Sequence, residues 1–415
     1  MNNSQEVITF GCRLNIYESE IIKNNLAKSG LKNATVFNTC AVTKEAEKQA
    51  RKAIRKLKKE DPSKKIIVTG CAAQNNPSMF ADMSEVDKVI GNEEKLSDKY
   101  YNLNQNSERI LVNDIMSVKE TANHMITSFD GKARAFLQVQ NGCDHRCTFC
   151  IIPFGRGNSR SVPIGIIVEQ VRALVDKGYK EVVFTGVDVT AYGADLPGSP
   201  TFAQMIRRLI SLVPKLSRLR LSSIDVAEID DELFELMAHN KVLMPHFHIS
   251  LQSGDNMILK RMKRRHTREQ VIEFCHALRK VRPNVSFGAD IIAGFPTETD
   301  EMFENTRRLI FEAGIQYLHV FPYSEREGTP AARMPQVLPE LKKHRAAILR
   351  KEGEKELQKF FKQNIGERAS LLVEKNNIAH TENFIPVKLN EDLPSGELLE
   401  ANLALLDSQY MGVER

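Results

Sequence analysis

A chain of 415 residues is too long for one ordinary hydrophobic core, so two or three domains are expected. Its 42% apolar and 27% charged residues exclude a disordered chain, and a net charge of only +5 leaves any polyanion-binding signal to local clusters. MNNSQEVITFGC has no basic segment ahead of an apolar run, and no eighteen apolar residues occur in succession, which points away from secretion or membrane spanning and predicts a cytoplasmic protein.

The first hundred residues alternate β-branched runs with helical patterns: VITFGC then NIYESEIIKNNLAKSG, TVFNTCAVT then KEAEKQARKAIRKLKK, then KIIVTGCAAQ. Strand and helix at this spacing predict βαβ units and an open parallel sheet. Each of these strands ends in a cysteine, Cys12, Cys40 or Cys71. Open parallel sheets place ligands beyond the carboxyl ends of their strands, so the three thiols should meet at one edge.

From about Phe136 the alternation resumes in longer units. RAFLQVQ, EVVFTGVDV, RLRLSSID, HFHISLQ, SFGADIIAGF and YLHVFPY read as strands, most of them separated by helical patterns such as REQVIEFCHALRKV. Six βα steps predict a TIM-like barrel two units short of closure, with its chemistry on the loops after the strands. Leu338 to Gln363 reads as one charged linking helix with Gly353 as its weak point, and the last fifty residues as a small all-β module. The expected division is therefore an open-sheet domain over residues 1–125, a partial (β/α)6 barrel over 126–362 and an all-β domain over 363–415.

After the first barrel strand stands QNGCDHRCTFCIIPFGRG, with Cys143, Cys147 and Cys150 spaced C-x3-C-x2-C and no fourth cysteine near. Seven cysteines in a large cytosolic chain speak for metal or redox chemistry rather than disulfides. Zinc sites close with four ligands, whereas a [4Fe-4S] cluster held by three thiolates keeps one iron open for a small molecule. A zinc knuckle using His145 as fourth ligand is the bland alternative, strained because His145 lies inside the ligand loop. A lone cysteine at a strand end is most simply a small apolar residue; three at equivalent ends are not. Cys275, on an amphipathic helix, reads as core.

C-x3-C-x2-C at the end of the first strand of a partial barrel resembles the radical S-adenosylmethionine superfamily, and GCRLNIYES, NTCAVT and TGCAAQ resemble the methylthiotransferases within it. The resemblance covers essentially the whole chain. It implies two [4Fe-4S] clusters, one on Cys143, Cys147 and Cys150 that cleaves S-adenosylmethionine, and an auxiliary one on Cys12, Cys40 and Cys71. It also implies that one cosubstrate methylates a sulfur carried on the auxiliary cluster while a second supplies the radical. GCRLNIYES, with Arg13 and Leu14 before Asn15, GVDVTAYG and SEREGTPAARM look most like the branch acting on threonylcarbamoyladenosine next to the tRNA anticodon, rather than isopentenyladenosine in tRNA or an aspartate of a ribosomal protein. The last domain resembles TRAM domains through VEKNN, HTENFIPVKL and SGELLEANL.

No catalytic side chain is assigned beyond the cluster ligands. Candidates for cosubstrate contact are Gly186, Asp188, Ser222, Ser223, Gln252, Asp290 and Phe321, all after or within barrel strands; turn capping is the bland account of the serines and Gln252. Arg261, Lys263, Arg264 and Arg265 after the fourth strand, and Arg326 after the sixth, are candidates for substrate phosphate or carboxylate. Residues 44–65 hold ten Lys or Arg against four Asp or Glu, and Lys48, Arg51, Lys52, Arg55 and Lys59 form either a phosphate-binding stripe or a solvated outer face. The all-β module is acidic, so base stacking on Phe384 and the TEN turn is its route to RNA. Expected partners are tRNA through its anticodon loop and an electron donor such as a flavodoxin or ferredoxin, with no membrane and a monomeric enzyme. The competing classes are an iron–sulfur electron carrier and an RNA-binding scaffold with structural clusters; only the enzyme produces deoxyadenosine on reduction.

Overall fold

The computed structural model describes residues 4–103, 108–119, 126, 129 and 132–414. The N-terminal part runs β1 (Gln5–Thr9), α1 (Arg13–Ser29), β2 (Ala34–Thr39), α2 (Lys44–Glu60), β3 (Lys65–Gly70), α3 (Cys71–Asn75), α4 (Pro77–Ala81), β4 (Lys88–Ile90) and β5 (Ile110–Leu111). Its five strands are parallel in the order β1-β2-β3-β4-β5. Local signals set the helix ends: Thr43 caps α2 through Ala46 N–H, with Glu45 and Glu47 in its first turn and Lys58 and Lys59 in its last, matching the helix dipole.

The central part runs β6 (Ala135–Gln138), β7 (Gln140–Asn141), α5 (Ile152–Arg156), β8 (Arg160–Ser161), α6 (Ile164–Asp176), β9 (Glu181–Thr185), α7 (Phe202–Leu212), β10 (Arg218–Leu221), α8 (Asp231–His239), β11 (His246–Gln252), α9 (Asn256–Met262), α10 (Arg268–Val281), β12 (Ser286–Ala293), α11 (Asp300–Ala313) and β13 (Tyr317–Pro322). Strands β6, β9 and β10 form one parallel sheet and β11, β12 and β13 another, joined by isolated bridges Leu219–Leu243 and Ile224–Ile249. The six strands predicted from sequence are thus the open barrel, with outward residues such as Val182, Phe184, Leu219, Phe247 and Ala289 packed in one core. Cys275 lies in this core, as its helical register predicts.

Helix α1 does two jobs. Ile22 and Leu26 pack on the N-terminal sheet, while Tyr17 and Ile21 join the barrel core beside Ala135 and Leu137 of β6. The edge that a six-strand barrel leaves open is therefore faced by a helix from the preceding sheet.

A long helix, α12 (Pro339–Gln363), leads to β14 (Arg368–Val373), β15 (Ile378–His380), β16 (Pro386–Lys388), β17 (Leu398–Leu405) and β18 (Met411–Val413), a closed five-stranded barrel in the order β14-β15-β16-β18-β17. Two expectations are corrected here. Gly353 is not a weak point: α12 passes through it unbroken, and a Cβ there would stand 2.8 Å from Leu318 Cδ1, so glycine permits close contact with β13. Phe384 cannot stack a base, because its ring lies against His246 at 4.8 Å and His380 at 4.7 Å, with Arg220 over it at 5.1 Å. The TEN turn is likewise spent internally, since Arg220 donates to the carbonyls of Thr381 and Glu382 and Ser286 to that of Asn383. Among the described residues no helix is long and apolar enough to cross a membrane.

Candidate functional site

Each cysteine of the N-terminal set sits just past a parallel strand. Cys12 is the N-cap of α1, Cys40 follows β2, and Cys71 opens α3 directly after β3. Tight backbone holds them together: Gly11 has φ +95°, and a Cβ there would come 2.9 Å from Cys40 Sγ; Gly70 has φ +97°, and a Cβ there would meet Thr39 O at 2.3 Å. No other residue fits either place. The second set lies on the loop after β7, entered through Gly142, where φ is +73° and a Cβ would fall 1.9 Å from Asn158 O.

All six cysteines line one cavity of about 410 Å³. Three strand ends of the N-terminal sheet and one loop of the barrel thus present two sets of three thiols to a single space, while Cys275 stays in the core. Burial pushes the thiols of Cys40 and Cys150 up to about 12 and that of Cys143 upward as well. Unmetallated, these thiols hold their protons; a metal that took them as thiolates would release protons on binding.

Beneath the seam lies a buried ion network. Glu18 of α1 accepts from Arg156 Nη1 at 2.8 Å and Nη2 at 3.0 Å, and from Lys95 Nζ at 2.6 Å. Arg156 also donates to Asn15, and Asn92 takes Lys95, approaches Cys71 Sγ at 3.7 Å and donates to Gly155 O. The Glu18 side chain is 1% exposed and that of Lys95 0%. One carboxylate thus faces two cations, a net positive charge beside Cys12 and Cys71 that suits an anionic group on those sulfurs. Burial works against Glu18 ionising, but Arg156 and Lys95 outweigh it and hold its pKa down to about 2.

The barrel set has its own surroundings. Arg264 Nη1 stands 3.8 Å from Cys147 Sγ, and its Nη2 donates to Asp225 at 2.9 Å and to Ser250 O at 2.8 Å. His145 is turned from the cysteines towards Asp188 at 3.0 Å and Glu228 at 3.3 Å, and these hydrogen bonds push its pKa up to about 10. His145 thus spends Nε2 on two carboxylates rather than on the cysteine set, which gives the knuckle reading no support.

Of the other sequence candidates, Gly186, Asp188, Ser223, Gln252, Asp290, Phe321 and Arg264 line the cavity. Gln252 arrives through a register shift between β11 and β12 and a left-handed φ of 69°. The structure does not bring the rest to the cavity. Ser222 is buried outside the lining. Arg261 is pinned to Thr297 Oγ1 at 2.8 Å, Lys263 is an exposed left-handed cap of α9, and Arg265 is paired with Glu228 at 2.5 Å. Arg326 pairs with Glu47 of α2, tying the barrel to the N-terminal sheet. Sequence reasoning missed Glu18, Lys95 and Arg156. Glu18 stood within GCRLNIYES, but nothing local marks Lys95 as its partner.

Compared with known proteins, residues 137–310 match the radical SAM superfamily and residues 5–91 match a family described as uncharacterized protein family UPF0004. The chain is 70% identical to a threonylcarbamoyladenosine tRNA methylthiotransferase of Rickettsia prowazekii, over 99% of this chain and 97% of that one. It is 33% identical to a tRNA-2-methylthio-N(6)-dimethylallyladenosine synthase of Orientia tsutsugamushi, over 84% of this chain and 82% of that one. Among solved structures, a radical S-adenosylmethionine methyltransferase from Kitasatospora setae superposes with a TM-score of 0.55 at 13% identity, over 79% of this chain and 74% of that one, a likeness of fold.

Proposed function

Because the chain belongs to the threonylcarbamoyladenosine tRNA methylthiotransferases of the radical S-adenosylmethionine superfamily, we infer that it converts threonylcarbamoyladenosine in tRNA into the 2-methylthio derivative. The observation that carries this reading is the convergence of two three-cysteine sets on one cavity. An electron carrier needs no such shared space, and a scaffold needs no three-ligand site.

The residues fit two [4Fe-4S] clusters. Each set supplies three thiols with no fourth cysteine in the lining, and each has a cation at hand, Arg156 and Lys95 for Cys12, Cys40 and Cys71, Arg264 for Cys143, Cys147 and Cys150. When bound, the clusters and S-adenosylmethionine supply the radical, the methyl group and the sulfur; the protein supplies position and field. Asp188, Gln252, Ser223 and Gly186 ring the barrel set and serve to hold the cosubstrate's polar groups. Phe149, Ile151, Ile292 and Phe321 give the same cavity an apolar side against which a base can lie. The three expected units, residues 1–125, 126–362 and 363–415, divide the work into sulfur store, radical barrel and a TRAM-like module packed against the barrel's far end. A cytoplasmic monomer reduced by a flavodoxin or ferredoxin completes the reading, and the exposed cations of α2 are its surface for tRNA phosphates.

The test is deletion of the gene in its host with mass spectrometry of tRNA nucleosides. Loss of 2-methylthio-threonylcarbamoyladenosine with accumulation of its precursor is expected. Persistence of that nucleoside with loss of the isopentenyl derivative would transfer the enzyme to the other tRNA branch.

A further inference from the structure

Next to the cysteine cavity, the barrel lumen holds a polar cluster to which the chemistry above gives no role. His248 of β11, Asp290 of β12 and His319 of β13 lie on lumen positions, alternating with the core residues Phe247, Ile249, Ala289, Ile291 and Val320. Asp290 Oδ1 stands 3.0 Å from His248 Nε2 and 3.2 Å from His319 Nδ1, and the two rings lie 4.7 Å apart. With Nδ1–H donating to Asp290, the imidazolium form of His319 has Nε2–H left to donate to another partner, and its side chain is 60% exposed. Asp290 itself lines the cavity.

Arg13 of α1 adds a cation within electrostatic reach of Asp290 in this cluster. It follows Cys12 and precedes Leu14 and Asn15, all three of which line the cavity. Its guanidinium is half-buried and makes no hydrogen bond or ion pair with any described residue. It lies within electrostatic reach of Arg134, Arg220, Glu181 and Asp290. An uncommitted guanidinium partly withdrawn from water favours an incoming anion.

We propose that Arg13, with His319 oriented by Asp290, is the receptor for the threonyl carboxylate of the substrate base, and that this pocket sorts adenosines bearing an amino acid from those bearing a hydrocarbon. The inference rests on the functional reading above. Its geometry follows from the base: C2 and the N6 substituent flank N1 of one ring, so a base presenting C2 to the cysteines sets its substituent beside them, where Arg13 stands. The lumen is closed at its far end by Phe384, so it admits a side-chain-sized group and not a polynucleotide backbone. Arg13 in reach of Asp290 also disfavours a divalent cation on the two histidines, which together with Asp290 have metal-ligand spacing.

The test uses the enzyme with both clusters and anticodon stem-loop RNA carrying either threonylcarbamoyladenosine or its methyl ester. For the wild type, kcat/KM and binding by fluorescence anisotropy should favour the acid by about 10- to 100-fold, the range of a charge-assisted hydrogen bond. In Arg13→Gln that ratio should fall to within a few fold of one, and in His319→Gln by a smaller factor. Iron content is measured in parallel because Arg13 adjoins Cys12; if Arg13→Gln loses iron, His319→Gln decides. An unchanged acid-to-ester ratio in an iron-replete variant would overturn the proposal, as would a stoichiometric non-iron metal lost from His319→Gln. A wild type that modifies neither RNA would instead sink the functional reading and the inference with it.

Discussion

Replacing Glu18 with glutamine removes the single anion between Arg156 and Lys95 while preserving shape. Both cations remain, in a place where the Lys95 side chain is 0% and that of Arg156 2% exposed. Breaking a buried pair by deleting one partner costs about 3–5 kcal/mol, since the charge left behind has neither water nor counter-ion. With a urea m-value of about 3 kcal/mol/M, that is a fall of 1 M or more in the unfolding midpoint of the metal-free protein at pH 7. The pH dependence carries the sign. Glu18 has a folded pKa of about 2 against an ordinary value of 4.5, so its contribution is full above pH 4.5 and is lost as pH falls towards 2. Wild type and Glu18→Gln should therefore differ most at neutral pH and converge in acid. Restoring charge balance by adding Lys95→Met should return part of the loss. A Glu18→Gln midpoint within 0.3 M of wild type, or a gap constant down to pH 3, would refute the idea that this carboxylate holds the seam together.

Gly70→Ala should cost the N-terminal cluster selectively, because the added Cβ meets Thr39 O at 2.3 Å and displaces Cys71; iron should drop from about eight to about four per chain, with deoxyadenosine still formed. Gly353→Val should destabilise by about 1–3 kcal/mol through overpacking against Leu318, read as a lower thermal midpoint. Phe384→Ala removes the ring seated between His246 and His380 and should expose the linker beyond α12 to limited proteolysis, with the barrel's iron retained. Arg326→Met frees Glu47 from its partner and should weaken attachment of α2 to the barrel, seen as faster amide exchange in Lys44–Glu60.

What the sequence disclosed follows from where its information is local. Strand and helix periods are written in neighbouring residues, and a cysteine directly after a strand is located by the strand itself, so the convergence of both cysteine sets and the barrel were legible. The short strands Ile378–His380 and Met411–Val413 were not, because three residues carry no period and are defined by their partners. Lys95 and Glu18 are 77 residues apart, and neither has a neighbour that betrays the other. Arg261 and Arg326 failed for the opposite reason: a cation after a barrel strand looks available until Thr297 or Glu47 is seen to hold it. Phe384 looked like a stacking platform because an exposed-seeming turn and an intramolecular plug share one sequence signature.

The double allegiance of α1 bears on how the chain matures. As it leaves the ribosome, the N-terminal sheet can collapse onto Ile22 and Leu26 at once, but Tyr17 and Ile21 have no cover until β6, more than a hundred residues later, has joined its neighbours. A nascent chain of intermediate length therefore carries a sticky apolar strip on an otherwise finished fold, the kind of surface that chaperones hold and that aggregation exploits. The cysteine cavity also draws on Phe321 to Ser324, so iron inserted early would enter an unwalled site. Cluster loading thus belongs after release of the whole polypeptide, and truncated products should accumulate as iron-free, insoluble protein.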